Sequence, residues 1–201
     1  MPDTILERPL AFLAFSVAMA ATPGPSNALL TTTGATLGLR RGLPCLLGVG
    51  VGMASMMFIV AFGLGSVILD HPAILAAIRW CGVAVLLWLA WRIATARPGA
   101  VDARARPLGL LGAAAFQWVN PKAWLACASA SAAFLDRRAG SALAQSAAIA
   151  LLFLAACLPS GLPWLAFGAM MHRWLRSERA FRVLSIALGV LLAGSAALVL
   201  W

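Results

Sequence analysis

Two short stretches of this chain carry the groups best suited to hold a small charged molecule. The first is Thr22-Pro23-Gly24-Pro25-Ser26-Asn27, set inside an apolar run from about Leu10 to Thr33. Its prolines each remove a backbone donor and clash with the turn before them, so a helix cannot run through. A half-helix starting at Pro25 aims its free N–H groups and positive dipole end back at the break. Proline suits that first position. The N–H groups of Ser26, Asn27 and Ala28 are candidates to hold a carboxylate. The carbonyls of Met19, Ala20 and Ala21, freed before Pro23, can accept from an ammonium. A break offering both kinds of group suits a zwitterion. The plainer alternative is a proline kink repaired by the Thr22 and Ser26 hydroxyls, but two prolines around a glycine are more than a kink needs.

The second stretch is Asn120-Pro121-Lys122. Lys122 falls near the centre of an apolar segment, where a lysine costs about 2.5–3.5 kcal/mol in a bilayer. It has to face protein or water there. It can bind a carboxylate or switch protonation; the structural alternative is that it bonds carbonyls freed at Pro23 or Pro121. Asn120, whose amide donates and accepts, is its natural neighbour. Gln117, one turn earlier, is expected to line the same cavity, and Trp118 and Trp124 to wall it.

These residues need a membrane around them. The chain of 201 residues is 63% hydrophobic and 10% charged, with mean hydropathy +0.95. A soluble domain of that length lacks the interior to bury so much apolar side chain. Broken helices survive in a bilayer only beside protein or a wet cavity. The net charge of +9 does not point to nucleic acid, because the arginines sit at segment ends without interleaved aromatics. Asp3 and Glu7 precede the first apolar run, unlike a secretory signal, so the first segment is expected to stay as an anchored helix.

Spans of about 20 apolar residues fall near 10–32, 43–67, 73–95, 109–134, 142–169 and 181–201. The fold expected is all-α integral membrane, with six transmembrane helices in one membrane domain over 1–201. The stretch from Arg97 to Pro107 is the only linker. Arg40, Arg41, Arg92, Arg97, Arg104, Arg106, Arg173, Arg176, Arg179 and Arg182 flank loops one, three and five; Arg8, Arg137 and Arg138 lie on the other side, with Arg79 inside span three. That bias puts the odd loops in the cytoplasm and both termini outside.

The chain also repeats. A proline break, a small-residue helix and an arginine pair follow one another twice, with fifteen residues from Pro25 to Arg40 and sixteen from Pro121 to Arg137. Each break lies in the first helix of a three-helix half, approximately 10–95 and 109–201. A 3+3 inverted repeat with a broken first helix in each half is expected, and paired breaks of that kind point to a midplane site.

Asp3, Glu7, Asp70, Asp102, Asp136 and Glu178 all lie outside the spans or at their edges, so no mid-depth carboxylate is offered as a proton relay. His71 and His172 read as loop residues. Cys45, Cys81, Cys127 and Cys157 form no CxxC pair and read as small packing residues. Gly48 and Gly52 form a GxxxG that lets helix two approach a neighbour. Pro159, Gly161 and Pro163 read as a bend in span five.

Thr22-Pro23-Gly24-Pro25-Ser26-Asn27, followed by Gly34, Gly38, Arg40, Gly42, Gly48 and Gly52, resembles the N-terminal signature of the lysine exporter/homoserine-threonine resistance (LysE/RhtB) family. Asn120-Pro121-Lys122-Ala123-Trp124 resembles that family's second motif. Ser26 departs from it, since asparagine often follows the Pro-Gly-Pro. The resemblance covers nearly the whole chain. It implies a secondary active exporter of amino acids or small amino-acid derivatives in the bacterial inner membrane, driven by the proton or ion gradient, with a small zwitterionic substrate. The substrate-binding residues are then Pro23, Gly24, Pro25, Ser26, Asn27, Gln117, Asn120, Pro121 and Lys122. No cofactor and no metal are expected, and a homo-oligomer is left open. The alternative in the same superfamily is a cadmium-type metal-ion transporter, for which Met53, Met56 and Met57 are the best donors. An enzyme would need a nucleophile–base pair inside the spans, and no histidine or carboxylate lies there.

Overall fold

The computed structural model describes residues 7–64, 71–95, 108–135, 141–174 and 178–200. Every regular element among them is helical: α1 Glu7–Ala21, α2 Pro25–Ile59, a π-helical turn Val60–Leu64, α3 Pro72–Ala94, α4 Leu110–Trp118, α5 Pro121–Phe134, α6 Ala142–Trp174 and α7 Glu178–Leu200. The all-α expectation holds. The stretch from Arg97 to Pro107 lies outside the described residues, as do Asp3, Asp70, Asp136, Arg137, Arg138 and Arg176.

α2 is two arms rather than one rod. Gly38 has φ 75° and ψ 176°, a region open to glycine alone. The chain reverses there. Thr33 Oγ1 lies 3.6 Å from Cys45 Sγ, whereas twelve residues of straight helix would separate them by about 18 Å. The turn therefore falls at Gly38, and Arg40-Arg41-Gly42, expected in the loop, belong to the second arm.

Other boundaries also move. α6 runs to Trp174, so the backbone at His172 and Arg173 is helical rather than loop; the residues 169–174 hold no helix breaker. α6 likewise stays helical through Pro159 and Pro163. α7 starts at Glu178.

The two arms of α2 lie against α6, which also receives α1. The second arm packs on α4, and α3 pairs with α7. Small residues permit these approaches. A Cβ on Gly168 would run into the Thr31 carbonyl, and one on Gly34 into the Leu165 carbonyl. Gly48 and Gly52 face Ala113 and Ala114 of α4. In a bilayer such close packing, not apolar burial, holds helices together. The core runs through Leu30, Leu46, Met56, Met57, Phe153 and Leu165. Large apolar side chains also face outward, with Leu111 81% and Trp91 71% exposed, and soluble surfaces rarely carry such a coat.

Pro25–Gly63 and Ala142–Met171 are each long and apolar enough to cross a bilayer. The first of them contains the Gly38 reversal.

Candidate functional site

The first break opens where α1 ends at Ala21 and α2 begins with Pro25. Thr22 finishes the old helix: its N–H and its hydroxyl both donate to the Ala18 carbonyl, at 3.0 and 2.5 Å. Gly24 is fully extended and caps α2 without a side chain. Asn27 is buried and turns back over the break. Its Nδ2 donates to the carbonyls of Ala20 (3.1 Å) and Thr22 (2.8 Å). The Ala28 N–H, expected to be available to a carboxylate, already donates to the Gly24 carbonyl at 3.0 Å. It is the first N–H with an acceptor four residues back in the new helix. Of the three amides, only those of Ser26 and Asn27 remain as candidates.

The second break closes itself more completely. α4 tightens at its end, with Val119 N–H donating to Phe116 (3.3 Å) and Asn120 N–H to Gln117 (3.1 Å). Asn120 then caps α5, its Oδ1 accepting from the Lys122 N–H at 3.1 Å. The Trp124 indole donates to the Trp118 carbonyl at 2.8 Å, and the two rings meet edge to face at 6.1 Å. The expectation that Trp118 and Trp124 wall a cavity is therefore corrected. Neither ring lines it; Trp124 satisfies a carbonyl that the break frees.

The two breaks abut and brace each other. The Ser26 hydroxyl donates to Gln117 Oε1 at 2.8 Å and accepts from Asn120 Nδ2 at 3.1 Å. Gln117 Nε2 donates to the Ala113 carbonyl at 3.2 Å. In the other direction the Lys122 ammonium donates to the carbonyls of Thr22 (2.6 Å) and Pro23 (3.4 Å). Ser26 follows Pro25 and Lys122 follows Pro121, so equivalent positions reach across to opposite breaks. Gly24 makes room for this. A Cβ there would lie 2.9 Å from Lys122 Cδ and 3.1 Å from Nζ, too close for any other residue without displacing the lysine.

A cavity of about 40 Å³ lies beside the brace, room for roughly three waters. Its polar end is Gly24, Ser26, Asn27, Asn120 and Lys122. Pro23, Pro25 and Pro121 shape the breaks without lining it, and fully buried Gln117 stands behind Ser26 rather than at the wall. Met19 and Ala20, expected at the break for their carbonyls, line the cavity too. The sequence did not mark as wall the contributions of Val49 and Met53 from the second α2 arm or of Phe153, Cys157 and Gly161 from α6. Those three α6 residues recur at helical spacing, but nothing local marks that face as turned towards a cavity. All three buried cysteines, Cys45, Cys127 and Cys157, belong to the core, and Cys157 also lines the cavity.

Met56 and Met57 are fully buried core residues, and only Met53 reaches the cavity. Among the described residues no group of three or more His, Cys, Asp or Glu is placed to hold a metal ion.

The family profile described as LysE type translocator matches residues 17–201. The chain belongs to the LysE family. Membership makes it a membrane protein of a translocator family, as the motifs around Pro25 and Pro121 imply. Among its relatives, the cysteine/O-acetylserine efflux protein of Escherichia coli (strain K12) is 29% identical over 192 residues, 96% of this chain and 95% of that protein. The proteins of the same name from Salmonella typhimurium (strain LT2) and Klebsiella pneumoniae are 35% and 36% identical over 112 residues. Those two matches span 56% of this chain and 57% of each relative, little more than half their length. No solved structure matches the chain.

Proposed function

We propose that this protein is a secondary active exporter of small neutral amino acids or their derivatives across the bacterial inner membrane, with its substrate site between the two proline-broken helices. The observation that carries the reading is the cavity edged by Lys122, Ser26, Asn27 and Asn120 at the point where the breaks meet. A lysine amine and first-turn N–H groups suit a carboxylate. Freed carbonyls suit an ammonium. A small cavity with an apolar far wall suits a short side chain. Cysteine and O-acetylserine, which name the efflux proteins this chain resembles, have that chemistry.

The membrane arrangement goes with it. The Gly38 reversal splits α2, so α1 with the arm at 25–37, the arm at 39–59, α3, α4 with α5, α6 and α7 make six crossings in one domain over 1–201. The 39–59 arm alone is about 31 Å long, matching the hydrocarbon thickness. Two halves with a proline-broken first helix and opposite orientation give a 3+3 inverted repeat. The arginine bias sets both termini outside. A homo-oligomer would present the same lipid-facing helices to a second copy.

Export of labelled amino acids and analogues from a strain lacking its own exporters tests the reading. A neutral amino acid is expected to leave cells faster when the protein is expressed, with loss of the effect when the ion gradient is collapsed. Cysteine labelling of the 97–106 loop from outside intact cells would contradict the orientation.

A further inference from the structure

We infer that a substrate's ammonium group binds where the Lys122 ammonium now sits, against the carbonyl oxygens of Thr22 and Pro23, while its carboxylate draws Lys122 towards itself. The inference rests on the reading that the two breaks form the export site, and it adds a rule for which molecules that site accepts.

Lys122 is an alkylammonium held by two neutral carbonyls at 2.6 and 3.4 Å. An α-ammonium carries the same three donors on a tetrahedral nitrogen. What holds one is built to hold the other. These carbonyls sit in the segment where prolines have removed helical partners, so they stay available to an outside donor. Among the described residues the lysine is held by neutral carbonyls alone, and a carboxylate would bind it more strongly. The cavity that borders both groups is where a ligand would enter.

A zwitterion completes this exchange without loss. The carbonyls trade one ammonium for another, and Lys122 trades carbonyls for a carboxylate. A molecule with only an amine sets a second cation beside Lys122 with nothing to neutralise either. A molecule with only a carboxylate draws Lys122 off, leaving the Pro23 carbonyl bare and the Thr22 carbonyl with its Asn27 bond alone. A basic side chain meets the same repulsion, and the far wall of Met53, Phe153 and Cys157 offers it no partner. The site therefore selects neutral α-amino acids with both termini free and a short side chain. Lys122 itself occupies the ammonium position.

The test uses the full chain in proteoliposomes and a panel of cysteine, serine and O-acetylserine, with cysteamine as the amine-only analogue and 3-mercaptopropionate as the acid-only one. Wild type should bind and carry cysteine while both analogues are roughly ten- to a hundredfold weaker, the range for a lost hydrogen bond to a charged group. In Lys122→Met the ammonium position is open and the carboxylate has lost its partner, so cysteamine should bind the variant at least as tightly as cysteine does, whether or not either is carried. Cysteamine held as tightly as cysteine by wild type overturns the inference, and this arm needs no variant to fold. Lys122→Met that keeps the wild-type preference for cysteine overturns it too, leaving the export reading intact. A wild-type protein that carries no member of the panel sinks the export reading, and the inference with it.

Discussion

The break before Pro25 and the break before Pro121 have the same build and opposite self-sufficiency. Each puts proline first in the new helix, with the next residue reaching across to the other break. Yet the second is capped by its own Asn120 and sealed by its own Trp124. The first is capped by glycine and leaves Thr22 and Pro23 carbonyls for Lys122 to hold. One break supplies the charge and the other supplies the carbonyls that hold it. On the proposed reading, a proline break serves as a site when its repair is left to a group that can be drawn away, and stays structural when its repair is built in. Asn27, which also bonds the Thr22 carbonyl, is the part of the first break that is built in.

The largest effect should come from removing the movable group. Lys122→Met is expected to abolish export while lowering stability by only about 1 kcal/mol, the low end for an unpaired buried acceptor. Thr22 keeps its bond from Asn27, so Pro23 bears the loss, and the variant no longer buries a charge. Export measured beside thermal stability separates the two. Lys122→Arg keeps the charge and cannot release a proton; partial export supports a counter-ion role, and complete loss supports a protonation switch.

The next largest concerns the built-in parts. Asn27→Ala removes two bonds across the first break and should cost roughly 2–3 kcal/mol. Asn120→Ala removes a cap and a link to Ser26 and should cost about 1–2 kcal/mol. Denaturation of both variants ranks them; the reverse order would mean that the second break is the less self-sufficient one. Gly24→Ala should displace Lys122 and weaken export, with little further effect in a Lys122→Met background. A double-mutant cycle should show coupling of about 1 kcal/mol; additivity would deny the contact. Smallest of all, Trp124→Phe should cost about 1 kcal/mol and leave export close to wild type, since that ring repairs a carbonyl outside the cavity.

Much of this was legible where the cause is local. Pro23, Pro25 and Pro121 fix the breaks whatever surrounds them, and Lys122 at mid-segment announces an unusual partner. The motif residues carried the family as well. The turn at Gly38 was misplaced by a few residues because Arg40 and Arg41 look like loop residues, while the real cause is a glycine-only dihedral. What could not be read was tertiary. Ser26 meets Asn120 across 94 residues and Lys122 meets Thr22 across 100; pairing the breaks was an inference from repetition, and the particular bonds were not in it. The contribution of α6 was invisible, since Phe153, Cys157 and Gly161 look like any apolar helical face. Trp118 and Trp124 misled for a related reason: nearness to a motif in sequence does not say which way a ring turns.

Cys157 provides the most direct test that the cavity between the breaks is where substrate binds, because it lines that cavity in the unaltered protein while Cys81, on the outer face of α3, lies away from it. The rate at which a small methanethiosulfonate modifies each can be followed by peptide mass spectrometry, with and without a transported amino acid that lacks a thiol. Modification of Cys157 should slow by roughly tenfold when that amino acid is present at ten times its Kd, with Cys81 unchanged. A Cys157 rate that is indifferent to saturating substrate would contradict the account.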